Sequence, residues 1–194
     1  AALGVSTIIS TGNVLADETA ADKKSEAEEG ISAPEDLMRE HGILNRILLI
    51  YEEGLRRLGT KQDIPPEVFH KPAKLVRAFV EDYHEKLEET FIFPAFEKRN
   101  KLVDLVTVLR QQHAAGRKVT DVVLQNAVGD RFHKADSRNK VIQSCEAFIR
   151  MYRPHETRED TVLFPALYKV VGAKEVKNLG EQFEEKEHQL FGED

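Results

Sequence analysis

The segment YHEKLEETFIFPAF at residues 83–96 recurs in altered form as PHETREDTVLFPAL at residues 154–167. At an offset of 71, His84 matches His155, Glu85 matches Glu156, Glu88 matches Glu159, Thr90 matches Thr161, and Phe93-Pro94-Ala95 matches Phe164-Pro165-Ala166. The repeat extends to a second pair of segments, because His41 and His113 lie 72 residues apart. Such a chain reads as a duplicated helical hairpin, each half carrying one lone histidine and then a His-x-x-x-Glu pair. On a helix, the i, i+4 spacing sets imidazole and carboxylate one turn apart on a single face, where both reach one point.

The apolar pattern around these groups has the helical period. Ser32-Ala33-Pro34-Glu35 joins an N-cap serine, a proline in the first turn and a glutamate three residues on, which marks a helix start. Leu37, His41, Leu44, Leu48 and Leu55 then recur on one face up to Gly59. Asp63-Ile64-Pro65-Pro66 opens a second helical region running to about Asn100, in which Pro72 is expected to divide a short turn from a long helix. Leu102, Val106, Leu109, His113, Gly116, Thr120 and Val123 make the third stripe. Asp136 or Ser137 caps the fourth, in which Ile142, Cys145, Phe148, Tyr152, His155, Glu159 and Val162 share a face up to about Val171. Gly172 closes it, and residues 173–190 form a shorter, charged helix. No segment alternates with period two, so no strands are expected. The expected fold is all-α: an up-down-up-down four-helix bundle over residues 32–192 with a short additional C-terminal helix.

Composition bounds the function classes. With 28 basic and 34 acidic residues among 194, net charge −6 and no basic run, the chain is not built to neutralise nucleic-acid phosphates. No run of about 18 apolar residues exists, so no membrane span is expected. The single cysteine, Cys145, makes no intramolecular bridge and reads as a small core residue. Residues 1–16 carry no charge and end in Val14-Leu15-Ala16 before Asp17-Glu18, which resembles the later part of an export signal peptide. The expected mature protein therefore begins near Asp17 and is periplasmic or otherwise exported, the alternative being a cytoplasmic protein with an N-terminal arm. Residues 17–31 have the composition of a flexible linker.

Four histidines and two glutamates in register with apolar stripes are costly to bury unless they are paired or bound to cations. Two divalent metal ions bridged by carboxylates satisfy them all. His70, His133 and His188 lack such partners and read as surface groups.

The repeated His-x-x-x-Glu followed by Phe-Pro, together with the Glu-rich closing segment EQFEEKEHQLFG, resembles the hemerythrin-like, HHE cation-binding family over about residues 33–192. The resemblance implies a non-haem di-iron centre with His41, His84, His113 and His155 as terminal ligands and Glu88 and Glu159 as bridges. Glu85 is a candidate for a further carboxylate. The donor set suits two iron ions, with manganese or zinc as alternatives. Oxygen-carrying members have a further histidine four residues after the one on the third helix, where this chain has Arg117. They also place an aspartate five residues after the fourth-helix histidine, whereas here a glutamate stands at four. The implied function is binding of dioxygen or a related small ligand, peroxide or nitric oxide, for sensing, storage or protection. The alternative is a di-iron enzyme, an oxidase or a peroxide or nitric oxide reductase, to which Tyr152 and Tyr83 would supply a proton or an electron. A third reading is a helical interaction domain in which metal only stabilises the fold.

Overall fold

A computed structural model describes residues 31–192. The signal-like segment at residues 1–16, and the linker apart from Ile31, lie outside the described residues. Helix α1 spans Ala33–Gly59. Helix α2 is an unbroken run over residues 67–98, in which α-helical Glu67–Leu75, Glu85–Leu87 and Phe93–Lys98 alternate with π-helical Val76–His84 and Glu88–Ile92. Helix α3 spans Val103–Asn126, and the short α4 spans Gly129–His133. Helix α5 covers residues 135–171 as Ala135–Arg158, a π turn Glu159–Leu163 and Phe164–Val171. Helix α6, Ala173–Phe191, packs on α1 and the end of α5. Among the described residues the secondary structure is helical throughout, without strands, and no helix is long and apolar enough to cross a membrane.

The helix starts follow local chemistry. The Glu35 carboxylate reaches back to Ser32, accepting from its backbone N–H at 3.2 Å and its hydroxyl at 2.8 Å. Gly172 ends α5 with φ +86°, a conformation that disfavours any residue with a Cβ. Two expectations need correction here. Pro72 does not divide the second helix but lies buried within its first turns. Its missing donor deprives only the Val68 carbonyl, near the helix start, where few bonds are lost. The fourth helix starts at Ala135 with Lys134 as its cap, so Asp136 and Ser137 sit in its first turn.

Two apolar clusters make the core. One holds Leu37 from α1, Phe93 from α2, Leu109 from α3 and Phe164 from α5. The other holds Leu48 from α1, Val76 from α2, Val123 from α3 and Phe148 from α5. Each long helix therefore runs from one cluster to the other, and between them it carries polar residues at the same level. That level is where His41, His84, His113 and His155 lie.

Candidate metal centre

Each long helix delivers one histidine to this layer, and all four are buried, with at most 4% of any residue exposed. Glu88 and Glu159 are fully buried between them. Glu88 Oε2 lies 3.8 Å from His84 Nε2 and 3.4 Å from His113 Nε2. Glu159 places Oε1 3.1 Å from His155 Nε2 and Oε2 3.4 Å from His41 Nε2. Ring centroids pair the histidines across helices, His41 with His84 at 4.9 Å and His113 with His155 at 4.9 Å. Each glutamate thus touches one histidine of each pair. Glu88, His113, His155 and Glu159 present donor atoms all within 4.8 Å of one another.

The four Nδ1 atoms face outward, and each has an oxygen partner. His84 meets Glu40 Oε2 at 2.5 Å, His113 meets Glu89 Oε1 at 3.1 Å, His155 meets Gln112 Oε1 at 2.9 Å, and His41 meets Asp160 Oδ1 at 2.8 Å. These contacts close a ring around the bundle: α1 serves α2, α2 serves α3, α3 serves α5, and α5 serves α1. An Nδ1–H donated outward leaves the Nε2 lone pair inward, the tautomer a metal ligand needs. Sequence reading missed these four acceptors, although each is the chain neighbour of an inner residue. One expected departure needs correction: Asp160 stands five residues after His155, so the aspartate position is filled and Glu159 at four is an additional carboxylate, with the Asp160 carboxylate meeting His41 Nδ1.

The inner oxygens are poorly served by protein. Both Glu88 oxygens, both Glu159 oxygens and His41 Nε2 are buried without a hydrogen-bond partner of good geometry. Burial would pull the His41 and His113 pKa values down, but their carboxylate neighbours outweigh it. Asp160 and Glu159 push His41 up to about 10, and Glu88 and Glu89 push His113 up to about 10. His84 is raised in the same way, against burial, by Glu88 and Glu40. Against its own burial, Glu159 is held below the usual carboxylate range by His155 and His41. Protons and cations compete for the same nitrogens, as they do wherever metal binding is coupled to deprotonation.

Glu85 stands apart from the inner set. Its Oε1 accepts from the Tyr152 hydroxyl at 2.6 Å, its Oε2 lies 2.7 Å from Arg117 Nη2, and the same oxygen is 4.0 Å from the outward face of His113. Arg117 also donates to Glu89 at 2.8 Å, so its charge turns away from the inner glutamates, toward Glu85 and Glu89. Tyr83 lies in the apolar cluster beside Phe79 and Phe191. His133 and His188 are exposed and His70 is partly buried, none of them part of the layer, while Cys145 is buried in the core.

Comparison with known proteins agrees with this architecture. The chain is 48% identical over 172 residues to uncharacterized proteins of Mycobacterium bovis and of two strains of Mycobacterium tuberculosis, a match covering 89% of this chain and 68% of each relative. No solved structure matches it significantly. The profile of the family described as Hemerythrin HHE cation binding domain matches residues 32–167, the span that contains all four histidines and both glutamates. The chain belongs to the hemerythrin HHE cation-binding domain family.

Proposed function

We propose that this is a non-haem di-iron protein whose bundle, with helices running alternately up and down, binds dioxygen or a related small ligand in its core. The carrying observation is the set of four inward Nε2 atoms around two buried glutamates that each span both histidine pairs. His41 and His84 would hold one cation, His113 and His155 the other, and Glu88 and Glu159 would bridge them. Two iron ions would supply reversible binding and electron exchange with small oxygen and nitrogen ligands. The chain's own residues do the rest: the outer acceptors fix the imidazole tautomers, the two apolar clusters exclude bulk water, and Arg117 leaves the inner face free. Glu85 lies outside the inner set, with its oxygens on Tyr152 and Arg117, and groups instead with Glu89 and His113, whose donor atoms lie within 4.8 Å of one another.

Metal analysis after anaerobic iron(II) loading tests the reading, with absorption recorded before and after dioxygen, peroxide or nitric oxide. The expected result is two irons per chain and a spectrum that changes on ligand addition. At most one tightly held metal, or retention of two metals by both Glu88→Ala and Glu159→Ala, overturns it.

One observation favours turnover as a second reading. The Tyr152 ring meets His155 edge-on at 5.3 Å, and its hydroxyl donates to Glu85. A phenol so placed holds a proton beside the centre, as peroxide reduction requires. Sustained peroxide consumption by the loaded protein, reduced at least about tenfold in Tyr152→Phe with both irons kept, identifies an enzyme. Binding without consumption leaves the ligand-binding reading in place.

A further inference from the structure

The ring of outer acceptors is not symmetric, and the asymmetry follows the duplication. Glu40 and Gln112 are equivalent positions of the two halves, 72 residues apart, as are Asn45 and Arg117. On one side, His84 is backed by the Glu40 carboxylate and His41 by the Asp160 carboxylate. Asn45 there is neutral and donates to the His41 carbonyl at 3.0 Å. On the other side, His155 is backed only by the carboxamide of Gln112. His113 is backed by Glu89, but that carboxylate is shared with Arg117 at 2.8 Å and Lys86 at 2.9 Å.

A carboxylate that accepts Nδ1–H raises the electron density that Nε2 offers a cation, and it partly balances the cation's charge. A carboxamide does so weakly, and a carboxylate already engaged by two cations does so less than a free one. Arg117 adds a fixed positive charge on the same side; paired with Glu85 and Glu89, it cancels carboxylate charge that would otherwise favour an incoming cation there. The three differences act in one direction.

Resting on the two-cation reading above, we propose that the two positions are unequal: the one between His41 and His84 fills first, and the one between His113 and His155 is weaker and exchanges more readily. Removing such an outer partner typically changes metal affinity by 10- to 100-fold, so the two dissociation constants differ by about tenfold or more. The exchangeable position is also the one beside Tyr152 and Arg117.

Titration of the full chain with cobalt(II) under nitrogen, followed by cobalt absorption and by bound stoichiometry in equilibrium dialysis, tests this. The parent is expected to take up two cobalt ions in two resolved steps. Gln112→Glu restores the acceptor of the other half and is expected to tighten the second step, bringing the two constants within about threefold. Glu40→Gln is expected to close the same gap from the other side by weakening the first step, and it decides independently should Gln112→Glu fold poorly. Two equal steps in the parent, tightening of the first step by Gln112→Glu, or weakening of the second by Glu40→Gln overturns the inequality. Uptake of fewer than two cobalt ions by the parent overturns the two-cation reading itself.

Discussion

Gly116 exists for the sake of a hydroxyl. A Cβ built there would lie 2.1 Å from the Tyr152 oxygen and 2.9 Å from its Cζ, so only glycine lets the phenol cross α3 to reach Glu85. Gly116→Ala is expected to cost about 1–3 kcal/mol by overpacking, despite the better helix propensity of alanine, and to break the Tyr152–Glu85 bond. Urea unfolding of Gly116→Ala and of Gly116→Ala with Tyr152→Phe checks this: the second change should recover part of the loss, since it removes the closest atom. Glu81 is a second residue with a measurable signature. It is fully buried beside Arg77, Thr120, Glu85 and Arg117, and burial pushes its pKa up to about 7 from an ordinary 4.5. The native state then holds a proton that the unfolded chain has released, so stability falls as pH rises from about 4.5 to about 7 and stays at the lower level above. Glu81→Gln is expected to flatten that decline and to exceed the parent by about 2–3 kcal/mol above pH 7. Unfolding curves between pH 4.5 and 8 decide it; parallel pH profiles would refute it. At this scale the inner histidines and glutamates were legible, because i, i+4 spacing is a local property of one helix. The outer acceptors were not, because Glu40, Glu89, Gln112 and Asp160 serve histidines on neighbouring helices, and neighbourhood is fixed only by packing.

The π turns act on whole helices. Glu88–Ile92 and Glu159–Leu163 occupy equivalent places in the two halves, each beginning at an inner glutamate and ending just before Phe-Pro. The wide turn sends the Phe93 N–H to the Glu88 carbonyl and the Phe164 N–H to the Glu159 carbonyl, five residues back. It also relieves the carbonyls of Thr90 and Thr161, four residues before prolines that have no N–H to offer and whose rings crowd that position in an α-helix. One residue is absorbed in each turn, so the inward face advances by one. That explains where the period-based stripe slipped: Val162 is 43% exposed, and Leu163 takes the buried place expected for it. Ile142 is partly buried, with Val141 the inward residue of that turn. A constant 3.6-residue period carries no mark of an inserted residue, although the Phe-Pro repeat was its visible correlate. Deleting Val162 would close the turn to α geometry and bring the Pro165 ring against the Asp160 carbonyl. The deletion is expected to cost about 3 kcal/mol, and Pro165→Ala in the same background to recover most of it. Chemical denaturation of the two variants measures both steps; an unrescued deletion would mean that the turn serves the centre and not the proline.

In the whole molecule, the two apolar clusters clamp a layer of buried charge that the protein alone satisfies poorly. Divalent cations would neutralise that layer, and a ligand that binds only the native state adds to its stability by mass action. At free metal about a thousand times a dissociation constant, each step adds about 4 kcal/mol, and in a domain of this size 1 kcal/mol moves Tm by about 2–4 °C. Loading is therefore expected to raise Tm by about 10 °C or more, and a strong chelator to reverse it. Glu159→Gln keeps the shape and a hydrogen-bonding oxygen between His41 and His155, so it should remain folded. It removes the charge shared by both positions, and the metal-dependent rise should largely vanish. Calorimetry of parent and variant, each with and without chelator, separates the alternatives. A rise in the parent that Glu159→Gln abolishes means that the layer is built for cations. Equal melting with and without chelator in both would mean that proton-sharing pairs hold it together, and the cation reading of this bundle would fall.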